Sequence, residues 1–301
     1  MATIKNPLLS LESRGTLADT LTFQRTRGRD TARKKPTPTG IKTLPQVYHR
    51  WDYQDYLEWW GTLSLIQKRA YAAQGSRSHN TMLGAFLKEK LSTLPDLAGR
   101  WRLDEAAGAT AYDSSKNGNN GVIHGASPTT GLIAGAFSFD GVDDYIDCGN
   151  SDTLNPTQAI TIEFFARNLI ALGLKMIISK GPRLGSYAGP YTINAEPGYY
   201  TLRLNSAAKS ATIAVPGTAW HHLAWTYDKV NIIRYLDGSQ YLAPVPYSDP
   251  LQANTDPLFI GVGYEMTATI RYFKGDIDEL RIENRALSAT EIAQHAERRY
   301  P

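Results

Sequence analysis

Phe139-Asp-Gly-Val-Asp-Asp-Tyr-Ile-Asp147 decides the fold, together with Asp113-Ser-Ser-Lys-Asn-Gly-Asn-Asn-Gly121 upstream and Gly275-Asp-Ile-Asp-Glu-Leu-Arg-Ile282 far downstream. Asp140-Gly141 is a hairpin-turn dipeptide, since tight turns between strands favour residues that tolerate positive φ. From Trp101 onward the hydrophobic period is two. Strand-like runs cover Gly135–Phe139, Tyr145–Cys148, Ile160–Arg167, Lys175–Lys180, Tyr191–Ile193 and Tyr199–Asn205. They continue through Ala211–Val215, His221–Asp228, Ile232–Leu236, Leu258–Val262 and Gly275–Ile282, with a second turn dipeptide at Asp237-Gly238. So many short strands with almost no helix between them predict a mainly β, two-sheet antiparallel sandwich over 96–301. Ser288 and Glu291 form a capping box that opens a short C-terminal helix.

The first hundred residues have another character. They hold 16 Lys/Arg against 8 Asp/Glu, whereas the remainder holds 16 against 21. Residues 1–44 read as an extended basic arm with a β-hairpin, one strand over Thr16–Gln24 and a second over Thr31–Lys35, ended by Pro36-Thr-Pro. Arg25, Arg27, Arg29, Arg33, Lys34 and Lys35 crowd this arm with Asp30 as the one opposing acid. Such a cluster suits an assembly contact with acidic neighbours, or phosphate contacts with nucleic acid. Residues 45–95 switch to helical spacing through Trp51, Tyr56, Trp60, Ile66, Tyr71, Leu83 and Phe86, predicting a small helical bundle.

Composition excludes several classes. No apolar run reaches the roughly 18–20 residues that span a bilayer, so membrane insertion is not expected. Pro7, Glu12 and Arg14 interrupt the N-terminal apolar patch, and no signal peptide is expected. The single cysteine, Cys148, reads as a small strand residue rather than a reactive thiol. His221-His222 point to opposite faces of a strand and cannot chelate one metal together.

Residues 98–298 closely resemble the laminin-G-like jelly-roll family, also described as concanavalin-A-like lectin/glucanase domains. Besides the stretches quoted above, the resemblance rests on Trp101-Arg-Leu-Asp-Glu105, Ile160-Thr-Ile-Glu-Phe-Phe165, Trp220-His-His-Leu-Ala-Trp-Thr-Tyr227 and Tyr235-Leu-Asp-Gly238. It also rests on Ala286-Leu-Ser288 and Glu291-Ile292. It implies a structural calcium held by Asp113 and Asp278, with Asn117 and Asn120 adding oxygens or shaping the turn. Lys116 and Asn120 stand where the family often has Gly and Asp, which lowers the negative charge. The other reading of this loop is a set of Asx-turns.

Glycosidases on this scaffold carry three acids at alternate positions of one strand. Here the alternation runs Asp276, Asp278, Leu280, with Glu279 and Glu283 expected on the other face, so the set is incomplete and no enzyme is expected. Tyr187, Tyr191, Tyr199, Tyr200 and Tyr264 are the candidates for stacking on sugars; the alternative for each is sandwich packing. The N-terminal region resembles those of phage and virus-like structural proteins, through Asn6-Pro-Leu-Leu-Ser10, Gly15-Thr-Leu17, Gly28-Arg29, Lys35-Pro36 and Lys68-Arg-Ala-Tyr71. The combined expectation is a non-enzymatic structural or assembly protein, in the capsid or tail of a virion or on an extracellular particle. Arm and helices would oligomerise it, with copies of itself or other virion proteins, and the jelly roll would be displayed and bind a surface glycan. A lectin-like module and a nucleic-acid-contacting structural protein are the two alternatives.

Overall fold

In a computed structural model the described residues are 2–3, 15–17, 21–26, 29–34, 60, 65–69, 83, 96–168, 173–181, 189–205, 209–215, 217–264 and 269–298. The chain divides into two compact units, Met1–Thr43 with Pro301, and Leu44–Tyr300. The first holds β1 (Ala2–Thr3), β2 (Gly15–Leu17), β3 (Leu21–Thr26) and β4 (Arg29–Lys34) in one antiparallel sheet ordered β1-β4-β3-β2. The expected hairpin is therefore part of a larger sheet. The run expected as one strand over Thr16–Gln24 is two strands that pair with each other, Leu17 opposite Leu21. Asp30, expected in the turn, lies in β4 opposite Arg25. Of the expected helical bundle, the described parts are helical Trp60 and Leu83 and helix α1 (Leu65–Arg69), with the Lys68 ammonium 5.6 Å from the Trp60 ring centre. The rest of that bundle lies outside the described residues.

The second unit is a two-sheet β-sandwich. Its first sheet contains β5 (Leu97–Trp101), β8 (Ser127–Thr130), β9 (Gly135–Asp140), β11 (Ile160–Asn168), β16 (His221–Tyr227), β17 (Asn231–Leu236), β18 (Ser239–Gln240), β19 (Val245–Pro246) and β23 (Lys274–Glu283). The order is β18-β17-β16-β11-β23-β9-β8, with β5 on β23 and β19 on β17. The second sheet contains β6 (Thr110–Ala111), β7 (Gly121–His124), β10 (Tyr145–Asp147), β12 (Lys175–Lys180), β13 (Tyr191–Glu196), β14 (Tyr199–Leu204), β15 (Lys209–Ala214), β20 (Leu258–Ile260), β21 (Val262–Tyr264) and β22 (Ile270–Tyr272). It is ordered β15-β14-β13-β12-β20-β10-β7-β6, and β21 and β22 form a hairpin that joins β12 through Tyr272 opposite Met176. The mainly β, two-layer expectation holds.

The core between the sheets is built from the alternate residues of each strand. Ile160, Ile162 and Phe164 meet Ile193, Leu202 and Ile213 in one cluster with Trp101 and Trp225. Each such side chain stabilises the fold by about 1.5–3 kcal/mol through removal from water. Buried tryptophans need an acceptor for the ring N–H. Trp101 Nε1 donates to Asn119 O and Trp225 Nε1 to Ala211 O. The second of these, with Arg234 Nη1 donating to Thr212 O, satisfies carbonyls of the sheet-edge strand β15 and blunts it against pairing with another chain.

One irregularity decides which residues face out. Glu163 pairs with Arg281, yet Phe165 pairs with Asp278, so β23 spends one extra residue at Glu279–Leu280, and Glu279 takes φ +50°. The bulge shifts the alternation. Ile277, Leu280 and Ile282 all enter the core, while Asp276 and Asp278 fall on the outer face, as do Arg281 and Glu283. The expected face of Asp276, Asp278, Leu280 and Ile282 is thus corrected, as is the expected opposition of Glu283 to the two aspartates. Helix α2 (Ala289–Ala296) follows with its capping box in place, Ser288 Oγ accepting from Glu291 N and the Glu291 carboxylate accepting from Ser288 N. Leu287 and Ile292 lay the helix on Ala224 and Tyr235.

Candidate functional site

The second sheet sorts its tyrosines by strand parity. Tyr200, Leu202 and Leu204 of β14 point into the core, so Tyr199, Thr201 and Arg203 point out. Register then lays out three rows on the outer face. Ser179, Thr192, Arg203 and Ser210 lie side by side; next come Asn194, Thr201 and Thr212; last come Glu196, Tyr199 and Ala214. Tyr199 is 52% exposed, while Asn194, Thr192 and Ser179 form a buried floor. Arg203 Nε donates to Asn194 Oδ1 at 2.9 Å, Asn194 Nδ2 donates to Glu196 Oε1 at 3.4 Å, and the Thr201 and Thr212 hydroxyls are 3.0 Å apart. The result is a trough of hydroxyl, amide and guanidinium groups with an exposed aromatic ring at one end.

One side of the trough is walled by the β21–β22 hairpin. After Ile260 the chain passes Gly261, at φ +86°, and β21 comes down onto β12. Gly263 approaches so closely that a Cβ there would lie 2.9 Å from Ser179 Cβ and 3.1 Å from Met176 Cβ. On the far side of this hairpin Tyr145, Phe259 and Val262 cluster with Tyr272, and His124 stacks on Tyr145 at 4.3 Å between ring centres.

The outer face of the first sheet is built differently. Glu163, buried on β11, receives His295 of α2 (Nδ1 to Oε1, 2.5 Å) and His222 of β16 (Nε2 to Oε2, 3.4 Å). Arg281 and Arg285 bind Glu283, Arg285 also binds Glu291, Arg100 binds Glu279, and Arg167 binds Asp276. Burial alone would raise the Glu163 pKa, but the imidazoles of His295 and His222 hold it well below the ordinary carboxylate range. Between Glu163, His222, Glu279 and Arg298 lies a cavity of about 20 Å³, room for one water molecule.

The residues expected to hold calcium serve two loops through hydrogen bonds. Asp113 Oδ1 accepts from Arg100 N and Ser115 N, and Oδ2 from Ser115 Oγ and Asn119 N. Asn120 Oδ1 accepts from Asp113 N, and Asn117 Nδ2 donates to Leu97 O and Ala98 O. Asp278 serves another loop, its Oδ2 accepting from Leu132 N and Ile133 N at 2.8 Å each. Burial, then the Glu279 charge, pushes the Asp278 carboxyl up to about 9. Asp113, Asn117 and Asn120 hold one hydrogen-bonded loop together and Asp278 Oδ2 holds another, while the buried Asp278 Oδ1 has no hydrogen-bond partner among the described residues. Among the described residues, the acids whose oxygens gather within 4.8 Å are Asp140, Asp143 and Asp144 in the β9–β10 turn.

Of the tyrosines proposed for sugar stacking, Tyr191 and Tyr200 are corrected. Both rings belong to the core, and Tyr191 OH donates to Leu154 O. Tyr199 lies on the outer face, Tyr264 lies in β21, and Tyr187 is outside the described residues. Arg25, Arg29, Arg33 and Lys34 occupy β3 and β4; Arg27 and Lys35 are outside the described residues. His221 pairs with Asp237, and Cys148 is buried, its thiol pKa pushed up by burial. The trough residues Asn194, Thr201, Arg203 and Thr212 went unnoticed in the sequence, although strand parity around Tyr199 would have grouped Thr201 and Arg203.

Among curated proteins none matches the chain. Domain 4 of AbnA, an extracellular GH43 arabinanase from Geobacillus stearothermophilus solved in complex with arabinotriose, superposes with a TM-score of 0.53 at 19% identity. That match covers 67% of this chain and 98% of that one. The binding domain of botulinum neurotoxin DC, solved with rat synaptotagmin II, gives a TM-score of 0.53 at 11% identity, over 68% of this chain and 52% of that one. A botulinum neurotoxin type C structure, whose cell entry depends on interaction with two ganglioside molecules, gives 0.53 at 10% identity, again over 68% and 52%. The chain therefore spans about half the length of the toxin domains, and at these identities the likeness is one of fold. The family model for the concanavalin A-like lectin/glucanases superfamily matches residues 140–293, half of the chain, and the protein belongs to that superfamily.

Proposed function

We propose that this protein is a non-enzymatic structural protein whose β-sandwich binds carbohydrate through the trough on the outer face of the second sheet. The observation that carries this reading is Tyr199, an exposed ring opposite Glu196 and at the end of the Arg203–Asn194–Glu196 hydrogen-bond chain that crosses the three rows. A sugar needs both features: a flat apolar face for its C–H groups, and fixed polar partners for its hydroxyls. The arabinanase domain, solved with arabinotriose, and the type C neurotoxin, whose cell entry depends on gangliosides, support the reading as relatives in fold. On the first sheet, the carboxylates at Glu163, Asp276, Glu279 and Glu283 are engaged by cations, which favours binding over hydrolysis. Glycan-array binding followed by calorimetry tests the proposal on the full chain. Tyr199→Ala and Arg203→Ala should each lower affinity about tenfold, equivalent to ~1.4 kcal/mol. Unchanged affinity in both variants, or no glycan bound by the wild type, overturns it.

The basic N-terminal unit favours display on an assembly such as a virion or other particle, with this unit as the contact to neighbouring copies. Mass measurement of the full chain beside a form lacking residues 1–43 tests this; a monomer in both cases overturns it. No helix among the described residues is long and apolar enough to cross a membrane.

A further inference from the structure

Lys180, the last residue of β12, shares the core face with Tyr191 and Leu258 and is 0% exposed. Lysine is almost never buried so fully without a counter-charge. Here the groups hydrogen-bonded to its Nζ are three neutral oxygens, Asn150 Oδ1 at 3.0 Å, Asn254 Oδ1 at 2.7 Å and Asp256 O at 2.5 Å, and the Asp256 carboxylate acts on it only through space. They come from two loops, one following β10 and one preceding β20. Both amides are turned so that oxygen faces the ammonium. Asn254 Nδ2 donates to Lys180 O, and Asn150 Oδ1 also accepts from Asn155 Nδ2. Asn155 Oδ1 in turn accepts from Asn254 N, tying the two loops together.

We propose that these two loops form a cation site of three neutral oxygens, that its resident ion is the chain's own Lys180 ammonium, and that emptying it leaves a site for a free primary ammonium ion. The number of protons selects this ligand. An ammonium offers three N–H donors to three acceptors, whereas a neutral amine would turn its lone pair on one of them. Burial, opposed by the nearby Asp256 charge, lowers the Lys180 pKa to about 8, which still leaves it charged at pH 7. A calcium ion requires six to eight oxygens, twice what the site presents, so a metal is the poorer occupant. The site therefore closes one end of the sandwich with a covalently tethered cation.

Chemical rescue of the full-length protein tests this. Lys180→Ala should lower Tm by about 5 °C, since three acceptors lose their donor. n-Propylammonium, which restores the deleted methylenes and the N–H donors, should return part of the loss saturably. Tetramethylammonium at equal ionic strength, having no N–H, should return none. Lys180→Met keeps the stem without the charge and should also melt below wild type. Equal rescue by both ammonium salts, or a Lys180→Met that melts at or above wild type, overturns the proposal. If Lys180→Ala does not fold, the wild type supplies the measurement. A slowly exchanging Nζ resonance carrying three protons at pH 7 supports the site, and a two-proton amine or a freely exchanging ammonium overturns it.

Discussion

The two outer faces of this sandwich solve opposite problems with the same strand geometry. On the first sheet, Glu163, Arg281, Glu283, Arg285, Glu291 and His295 form a buried ion-pair layer beneath α2. On the second, Asn194, Thr201, Arg203 and Thr212 form a polar trough that ends at an exposed Tyr199. Removing charges from water is costly, so the first face sets its carboxylates against cations of the same layer. Hydroxyls and amides cost less to dry, so the second face carries a buried polar floor beside an exposed ring without needing paired charges. Sealing favours order, and openness favours recognition.

The comparison breaks most readily at Glu163. Glu163→Gln leaves two imidazoles and Arg281 without their shared carboxylate and should destabilise the fold by about 3–5 kcal/mol, read as a lower urea midpoint at unchanged m. It should also alter the acid limb. The folded pKa of Glu163 is depressed, so its contribution is complete above the ordinary carboxylate value of 4.5 and is lost as pH falls through the lower folded value. That slope should be absent in the variant. A midpoint within error of wild type would show that the layer is ornamental.

Asp278 should respond with the opposite sign. Its folded pKa of about 9 lies above the unfolded 3.8, so the native state holds the extra proton and stability falls as pH rises across that interval. Asp278→Asn should therefore gain roughly 2–4 kcal/mol at pH 8 and lose its advantage below pH 4, measured by denaturant unfolding at both pH values. Gly263→Val sharpens the wall of the trough. Its side chain would press on Ser179 and Met176, costing about 1–3 kcal/mol and changing glycan affinity in the same variant. Ser288→Ala removes the α2 cap for about 1 kcal/mol, detected as a small drop in Tm. Tyr199→Ala is the smallest for stability, within about 0.5 kcal/mol, so its loss of glycan binding would report recognition and not unfolding.

Most of the sandwich was legible because strand alternation and turn dipeptides are local. Asp237-Gly238 does turn at φ +49° and +80°, and Ser288 with Glu291 does cap α2. The candidate sites were less legible. Tyr199-Tyr200 places one tyrosine on each face, and nothing local says which is inside. The outer face of β23 was misread because a bulge opposite Phe164 leaves no distinct composition behind it. Asp113 stayed open to two readings in the sequence, since an Asx clasp and a calcium loop draw on the same Asp, Asn and Gly residues. The Lys180 site was invisible, its oxygens coming from residues 30 and 74 or more positions away.

By itself, then, the amino-acid order determined the class of fold, the place of the main strands, the helix cap and the split between a basic front and an acidic sandwich. These follow from side-chain period, φ preference and charge count, none of which needs a distant partner. The three-dimensional arrangement settled which tyrosine is exposed, which acids are paired and which lysine is buried. Those depend on register, on one extra residue in β23 and on desolvation, and each arises only when strands far apart in the chain are brought side by side.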